Sequence, residues 1–93
     1  MKGYKFIVSD YYATGEGTTI SLMIAPEFYG DEYTRKHCRE VFTDYYASMC
    51  EEVTLEKFME YKNHFPSIVM RYLTGEVKPP GAFYWVSQTY INF

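Results

Sequence analysis

The chain has 93 residues, of which 47% are hydrophobic and 20% aromatic, and its formal net charge at pH 7 is −3. A chain of this length and apolar content builds one hydrophobic core, so we predict a single domain over residues 1–93. The small negative charge disfavours direct binding to nucleic acid, because that binding needs cations to replace the counterions on phosphates.

The first quarter of the chain has the pattern of a β-hairpin. Segments 2–12 and 18–25 alternate apolar side chains with others at a period of two, which is typical of strands. The two glycines of segment 13–17 supply positive φ angles for a turn between them. Pro26 has no amide hydrogen and is predicted to end the second strand, and segment 27–30 then forms a connection that carries two aromatic rings.

A long helix is predicted to follow. Asp31 is its expected N-cap, because it follows a glycine and because Glu32 beside it favours the positive end of the helix. Apolar side chains then recur at spacings of three and four, the pattern of a helix with one buried face. The residues of this stripe are Cys38, Val41, Phe42, Tyr45 and Met49. The helix is expected to end near Glu52 or Val53.

Two shorter helices are predicted next. Thr54 is the expected N-cap of the first, and Pro66 breaks it because the residue before a proline avoids the helical region. Pro66 is then predicted to occupy the first position of the next helix, which Gly75 ends. The residues expected to face inward are Leu55, Phe58, Met59, Ile68, Val69, Tyr72 and Leu73.

Segment 82–93 has the composition of a last strand, with aromatic side chains on both faces. Phe83, Trp85, Ile91 and Phe93 share one face, and Tyr84, Val86 and Tyr90 share the other. The element order β-β-α-α-β, or β-β-α-α-α-β when the short third helix is counted, predicts an α+β fold. Its expected form is a two-layer sandwich in which a three-stranded antiparallel sheet carries the helices on one face. The sequence leaves the strand order open.

The cysteines and histidines do not have the spacing of a metal site. The chain contains no Cys-x-x-Cys pair and no two histidines one helical turn apart. Within one helix, Cys38 and Cys50 would lie about 18 Å apart. Patterns of nucleophilic, phosphate-binding or paired-carboxylate sites are also missing from the sequence. We therefore predict a non-enzymatic protein without metal or cofactor.

Neither a signal segment nor a long apolar run occurs in the sequence. The sequence therefore predicts a cytoplasmic protein with reduced thiols and no membrane contact.

Acidic and tyrosine side chains are concentrated together, and they suggest a binding surface for another protein. A run of charges is ordinarily a solvated helix face. The alternative is a surface whose carboxylates steer a basic groove towards it and whose tyrosines anchor the complex. Adjacent ring pairs such as Tyr11-Tyr12 favour this alternative, because neighbours in a strand or helix cannot both face one core. The predicted partner-binding residues are Asp44, Tyr46, Glu52, Glu56, Glu60, Tyr11, Tyr12 and Tyr29.

In size, acidity and aromatic richness the chain resembles the small proteins that phages encode to block bacterial defence, anti-CRISPR proteins among them. The resemblance is one of overall character and assigns no residue. It implies a non-enzymatic inhibitor that binds a nucleic-acid-guided effector or nuclease in the host cytoplasm and covers its DNA-binding surface.

Two other functions stay open. A pocket between sheet and helices, with His64, Arg71 and Tyr72 as first candidates, would suit a small enzyme or a nucleotide-binding domain. An aromatic sheet face or an exposed edge strand would suit a self-associating structural domain. The sequence does not decide between a monomer and a homodimer.

Overall fold

The structure, a computed structural model, describes residues 1–12, 17–30, 32–34, 36 and 50–92. Within them the chain forms one antiparallel sheet and several short helices, which confirms the α+β class. The strands are β1 (Tyr4–Tyr12), β2 (Gly17–Pro26), β3 (Glu51–Val53) and β4 (Trp85–Asn92). Their spatial order is β3-β1-β2-β4, so the described sheet has four strands rather than the predicted three.

The predicted hairpin is confirmed. Strands β1 and β2 pair antiparallel from Tyr4 opposite Pro26 to Tyr12 opposite Thr18. Pro26 is the last residue of β2, a position at which a missing amide hydrogen disturbs the ladder least. Of the predicted turn at 13–17, residues 13–16 lie outside the described residues, and Gly17 is the first residue of β2.

The extra strand, β3, lies where the sequence predicts the end of a helix. Val53 pairs with Phe6 and Glu51 with Val8, so the helical prediction for Glu52 and Val53 is wrong. Three residues are too few to show a period of two, and pairing with a distant strand decides their conformation. The predicted N-cap Asp31 and the stripe from Cys38 to Met49 lie outside the described residues.

The helical segment after β3 begins as the sequence predicts. Thr54 is the N-cap of α1 (Leu55–Phe58), and its hydroxyl oxygen accepts a hydrogen bond from the Lys57 amide at 3.1 Å. The chain continues as a 3-10 helix, Met59–His64, and turns extended at Phe65 (φ −93°, ψ 136°).

The next helix, α2 (Ser67–Leu73), starts one position later than predicted. Pro66 has an extended ψ of 152° and serves as N-cap instead of first helical residue. Gly75 ends this segment at a φ of 80°, and its amide donates to the Tyr72 carbonyl at 3.2 Å.

The helical segments between β3 and β4 cover one face of the sheet. The buried side chains of this first core are Phe6, Val8, Ile20, Leu22, Ile24, Phe58, Val69 and Leu73. Phe58 is fully buried, with its ring centroid 5.1 Å from that of Phe6 and 5.0 Å from that of Phe65. Ile68 was expected to face inward but is 45% exposed, because Val69 and Leu73 already form the buried stripe of α2.

The other face of the sheet is buried as well. Ile7, Met23 and Ala25 form a second core cluster, and Tyr29, Cys50, Tyr84 and Val86 pack against it. The predicted alternation of β4 is confirmed at its start, since Trp85 packs on the first core and Val86 on the second. A sandwich with helices on one face therefore accounts for only one of the two buried faces. In the described part of the chain, no helix has the length and apolar content needed to cross a bilayer.

Candidate protein-binding surface

The chain leaves β2 through a short turn that exposes aromatic rings. Glu27–Tyr29 forms a 3-10 turn, and the Glu27 amide donates to the Gly3 carbonyl at 2.9 Å, which ties the turn to the start of β1. Gly30 ends the turn at a φ of 69°, a conformation that favours glycine. The Phe28 side chain projects into solvent and is 75% exposed.

Four rings around this turn form a cluster, here called the aromatic corner, that consists of Phe28, Tyr29, Tyr33 and Tyr84. Tyr29 is its centre, with ring centroids 5.0 Å from Phe28 and 4.8 Å from Tyr33, both edge to face. Its centroid also lies 6.5 Å from that of Tyr84. Tyr29 packs against the second core cluster, so a ring anchored in the fold holds two outer rings that are largely exposed.

The backbone beside the corner is also fixed. Residues 32–34 are helical, and the buried Thr34 hydroxyl donates to the Gly30 carbonyl at 2.7 Å. This bond joins the helical turn that carries Tyr33 to the end of the turn that carries Phe28. The corner is therefore organised before any partner arrives, which lowers the entropy lost on binding.

Exposed carboxylates lie beside the corner in the sequence and on the sheet face that it covers. Glu27 and Glu32 flank the rings in sequence, and neither forms an ion pair in the described part of the chain. Glu52 is exposed on β3 and lies opposite Ile7, on the same sheet face against which Tyr29 packs. Lys36 is exposed as well, and Glu27, Glu32, Glu52 and Lys36 together carry a net negative charge.

The other described carboxylates of the prediction lie elsewhere. Glu56 and Glu60 are exposed on the helical segment that covers the first face, and Glu60 pairs with Lys57 at 3.2 Å. Among the predicted residues whose side chains the structure describes, Glu52 and Tyr29 share one face of the sheet. Glu52, Glu56 and Glu60 therefore do not form a continuous helical row, because the first of them belongs to β3.

Tyr11 and Tyr12 lie at the far end of β1. Tyr29 follows Pro26, which pairs with Tyr4, so seven strand positions, about 23 Å, separate Tyr11 from that end. Asp44 and Tyr46 lie outside the described residues. The predicted set thus does not form one surface in the part of the chain that the structure describes.

The sequence prediction missed Phe28 and Tyr33 as site residues. The adjacency of Phe28 and Tyr29 pointed to an exposed ring, and Pro26 marked the end of the alternating pattern that buries side chains. Tyr33 had no comparable signal, because it lies in the segment predicted as the first turn of a long helix. The Tyr33 ring lies close to that of Tyr29 only because the chain turns at Gly30.

Among the described side chains, no three histidine, cysteine, aspartate or glutamate residues come together as a metal site would require. No protein-family model matches the chain, and neither curated protein sequences nor solved structures include a significant match to it.

Proposed function

We propose that the protein is a non-enzymatic protein-binding inhibitor whose aromatic corner, with the carboxylates around it, binds a basic groove of another protein. The observation that carries the proposal is the Phe28 ring, 75% exposed and held edge-on by Tyr29. Burying a phenylalanine side chain is worth about 1.5–3 kcal/mol, so this ring supplies affinity as soon as a partner covers it. Exposed, rigid rings of this kind are typical anchors of interfaces.

The charges support a basic partner. Glu27, Glu32 and Glu52 form no ion pair within the described residues, so a partner can engage them without breaking an existing contact. Unpaired carboxylates speed the encounter with a positively charged groove and make association sensitive to salt. Grooves that bind nucleic acid have this charge. In agreement with the anti-CRISPR-like character of the sequence, the proposed partner is a nucleic-acid-guided effector in the cytoplasm, whose DNA-binding groove the protein covers.

The test is a titration of purified RNA-guided effector complexes with the protein, in which binding of target DNA is measured. We expect one equivalent to abolish DNA binding by a susceptible effector. Phe28→Ala should raise the inhibitory concentration by about tenfold or more, since it removes an anchor ring. Ile68→Ala is the matched control, because Ile68 is also an exposed apolar side chain but lies on α2.

Two results would contradict the proposal. The first is unchanged DNA binding by every effector tested at a large excess of the protein. The second is inhibition by Phe28→Ala at the same concentration as the unmodified chain, which would leave the aromatic corner without a role.

The electrostatic part is tested separately with Glu52→Lys. At low salt this change should weaken inhibition, and the difference should shrink as salt screens the charges. Glu56→Lys is its control, because Glu56 is exposed on the helical segment of the opposite face. Equal losses for both variants would mean that net charge, and not the surface at Glu52, decides binding.

A second candidate function is self-association through β4, and the contrast between the edge strands favours it. At one edge of the described sheet, β3 has three residues, two of them glutamates, and such short, charged edges resist pairing. At the other edge, β4 has eight residues with no charge and no proline. Sedimentation over a concentration series tests this candidate function. A dimer that is weakened by Gln88→Lys would support it, and a monomer at every concentration would contradict it.

A further inference from the structure

A cleft opens at the end of the sheet where β1 begins, beneath the loop that follows α2. It has a volume of about 510 Å³, within the range of small-molecule sites in proteins. The residues that line it are Met1, Lys2, Tyr4, Tyr72, Gly75, Val77, Lys78, Pro79 and Gly81. The cleft shares none of these residues with the aromatic corner.

The walls of the cleft are aromatic and fixed in place. The Phe83 ring lies edge to face with both wall tyrosines, its centroid 6.4 Å from that of Tyr4 and 4.9 Å from that of Tyr72. The Tyr4 hydroxyl donates to the Pro80 carbonyl and accepts from the Phe83 amide, each at 3.3 Å. These bonds hold the loop against β1, so the cleft is formed in the absence of a ligand.

The charge of the cleft is positive. Lys2 and Lys78 are exposed and have no ion pair in the described part of the chain, and none of the described lining residues is acidic. The nearby Arg71 differs, since it pairs with Glu76 at 3.4 Å. Two ammonium groups beside one cleft, without a counter-charge from the fold, attract an anion.

The backbone conformation does not explain why residue 81, which lines the cleft, is a glycine. Gly75, also in the lining, has a φ of 80° and requires glycine for its conformation. Gly81 is not in that region, and a Cβ placed on it would meet no atom within 4 Å. A larger residue would fit its backbone, and at this lining position it would compete with a ligand for space.

From this arrangement we infer that the cleft is a binding site for a nucleoside phosphate. Lys2 and Lys78 bind the phosphate groups, and the faces of Tyr4 and Tyr72 contact the base. The Tyr72 hydroxyl has no hydrogen-bond partner in the described part of the chain and is available to the ligand. Aromatic walls and an uncompensated pair of cations together select a ligand that carries both a planar ring and a polyanion.

The test is isothermal titration calorimetry with ADP, pyrophosphate and adenosine in separate experiments. ADP should bind at least about tenfold more tightly than either fragment, because only ADP engages both the rings and the lysines. Lys2→Gln combined with Lys78→Gln should lower the ADP affinity by about tenfold or more. Lys62→Gln, which changes an exposed lysine outside the cleft, should leave it unchanged.

Gly81→Trp tests the position of the site, since it places a large side chain on a lining residue and removes no existing side-chain contact. It should abolish ADP binding and leave inhibition through the aromatic corner intact. Three results would overturn the inference: no heat with ADP at millimolar concentration, equal affinity for ADP and pyrophosphate, or full ADP affinity in the double lysine variant. If Gly81→Trp does not fold, the double lysine variant still tests the site. Both lysines are exposed, so their replacement should not disturb the fold.

Discussion

At the scale of single residues, two phenylalanines show how placement decides the role of one side-chain type. Phe58 is fully buried and contacts the rings of Phe6 and Phe65, whereas Phe28 is 75% exposed. Phe58→Ala should lower the free energy of unfolding by about 3–5 kcal/mol, because the lost burial adds to the cavity left behind. Phe28→Ala should change it by about 0.5 kcal/mol or less. Urea denaturation measures both, and comparable losses would mean that Phe28 belongs to the core.

Tyr4 fixes the loop before β4 through one oxygen. Tyr4→Phe keeps the ring but removes the bonds to Pro80 and Phe83, and it should lower the free energy of unfolding by about 1 kcal/mol. The Phe83 amide should then exchange its hydrogen faster. Tyr72→Phe is the matched control, since its hydroxyl has no partner among the described residues. An unchanged exchange rate at Phe83 in Tyr4→Phe would show that the loop is held by packing alone.

At the scale of elements, Thr54 starts the helical segment that covers the first core. Thr54→Ala leaves the Lys57 amide without its side-chain acceptor and should lower the free energy of unfolding by about 1 kcal/mol. Thr54→Ser keeps the hydroxyl and should retain most of the stability. Thermal or urea unfolding distinguishes the two, and equal losses in both variants would attribute the effect to the lost methyl group.

Elements with a local signal could be predicted from the sequence, and those decided by distant pairing could not. The β1–β2 hairpin follows from alternation and glycines, and the cap at Thr54 follows from its own side chain. Strand β3 depends on pairing with β1, which lies far away in the chain. Its three residues have no local strand signal, so the sequence predicts them as the end of a helix. The exposure of Ile68 depends on which face of α2 meets the sheet, and adjacent apolar residues do not specify that face.

At the scale of the whole molecule, the sheet carries a core on each face. Aromatic residues on both sides of a strand, as in β4, indicate either a central strand or a face exposed for binding. The structure gives a third arrangement, in which β4 is an edge of the described sheet and its two sides pack on different cores. Tyr29 could be predicted for the candidate surface, but the surface itself depends on the turn at Gly30 and on contacts across the sheet.

The strand order has a consequence for the sequence in which the strands pair during folding. The β1–β2 pairs are close in sequence, whereas β2 and β4 join residues roughly 60 to 75 positions apart, so forming that edge costs more loop entropy and comes later. We therefore expect the hairpin to act as the nucleus on which β4 docks last. In stopped-flow folding experiments, Val8→Ala should mainly slow folding and Val86→Ala should mainly speed unfolding. In a nascent chain, both strands of the hairpin are available for pairing well before the last strand is synthesised.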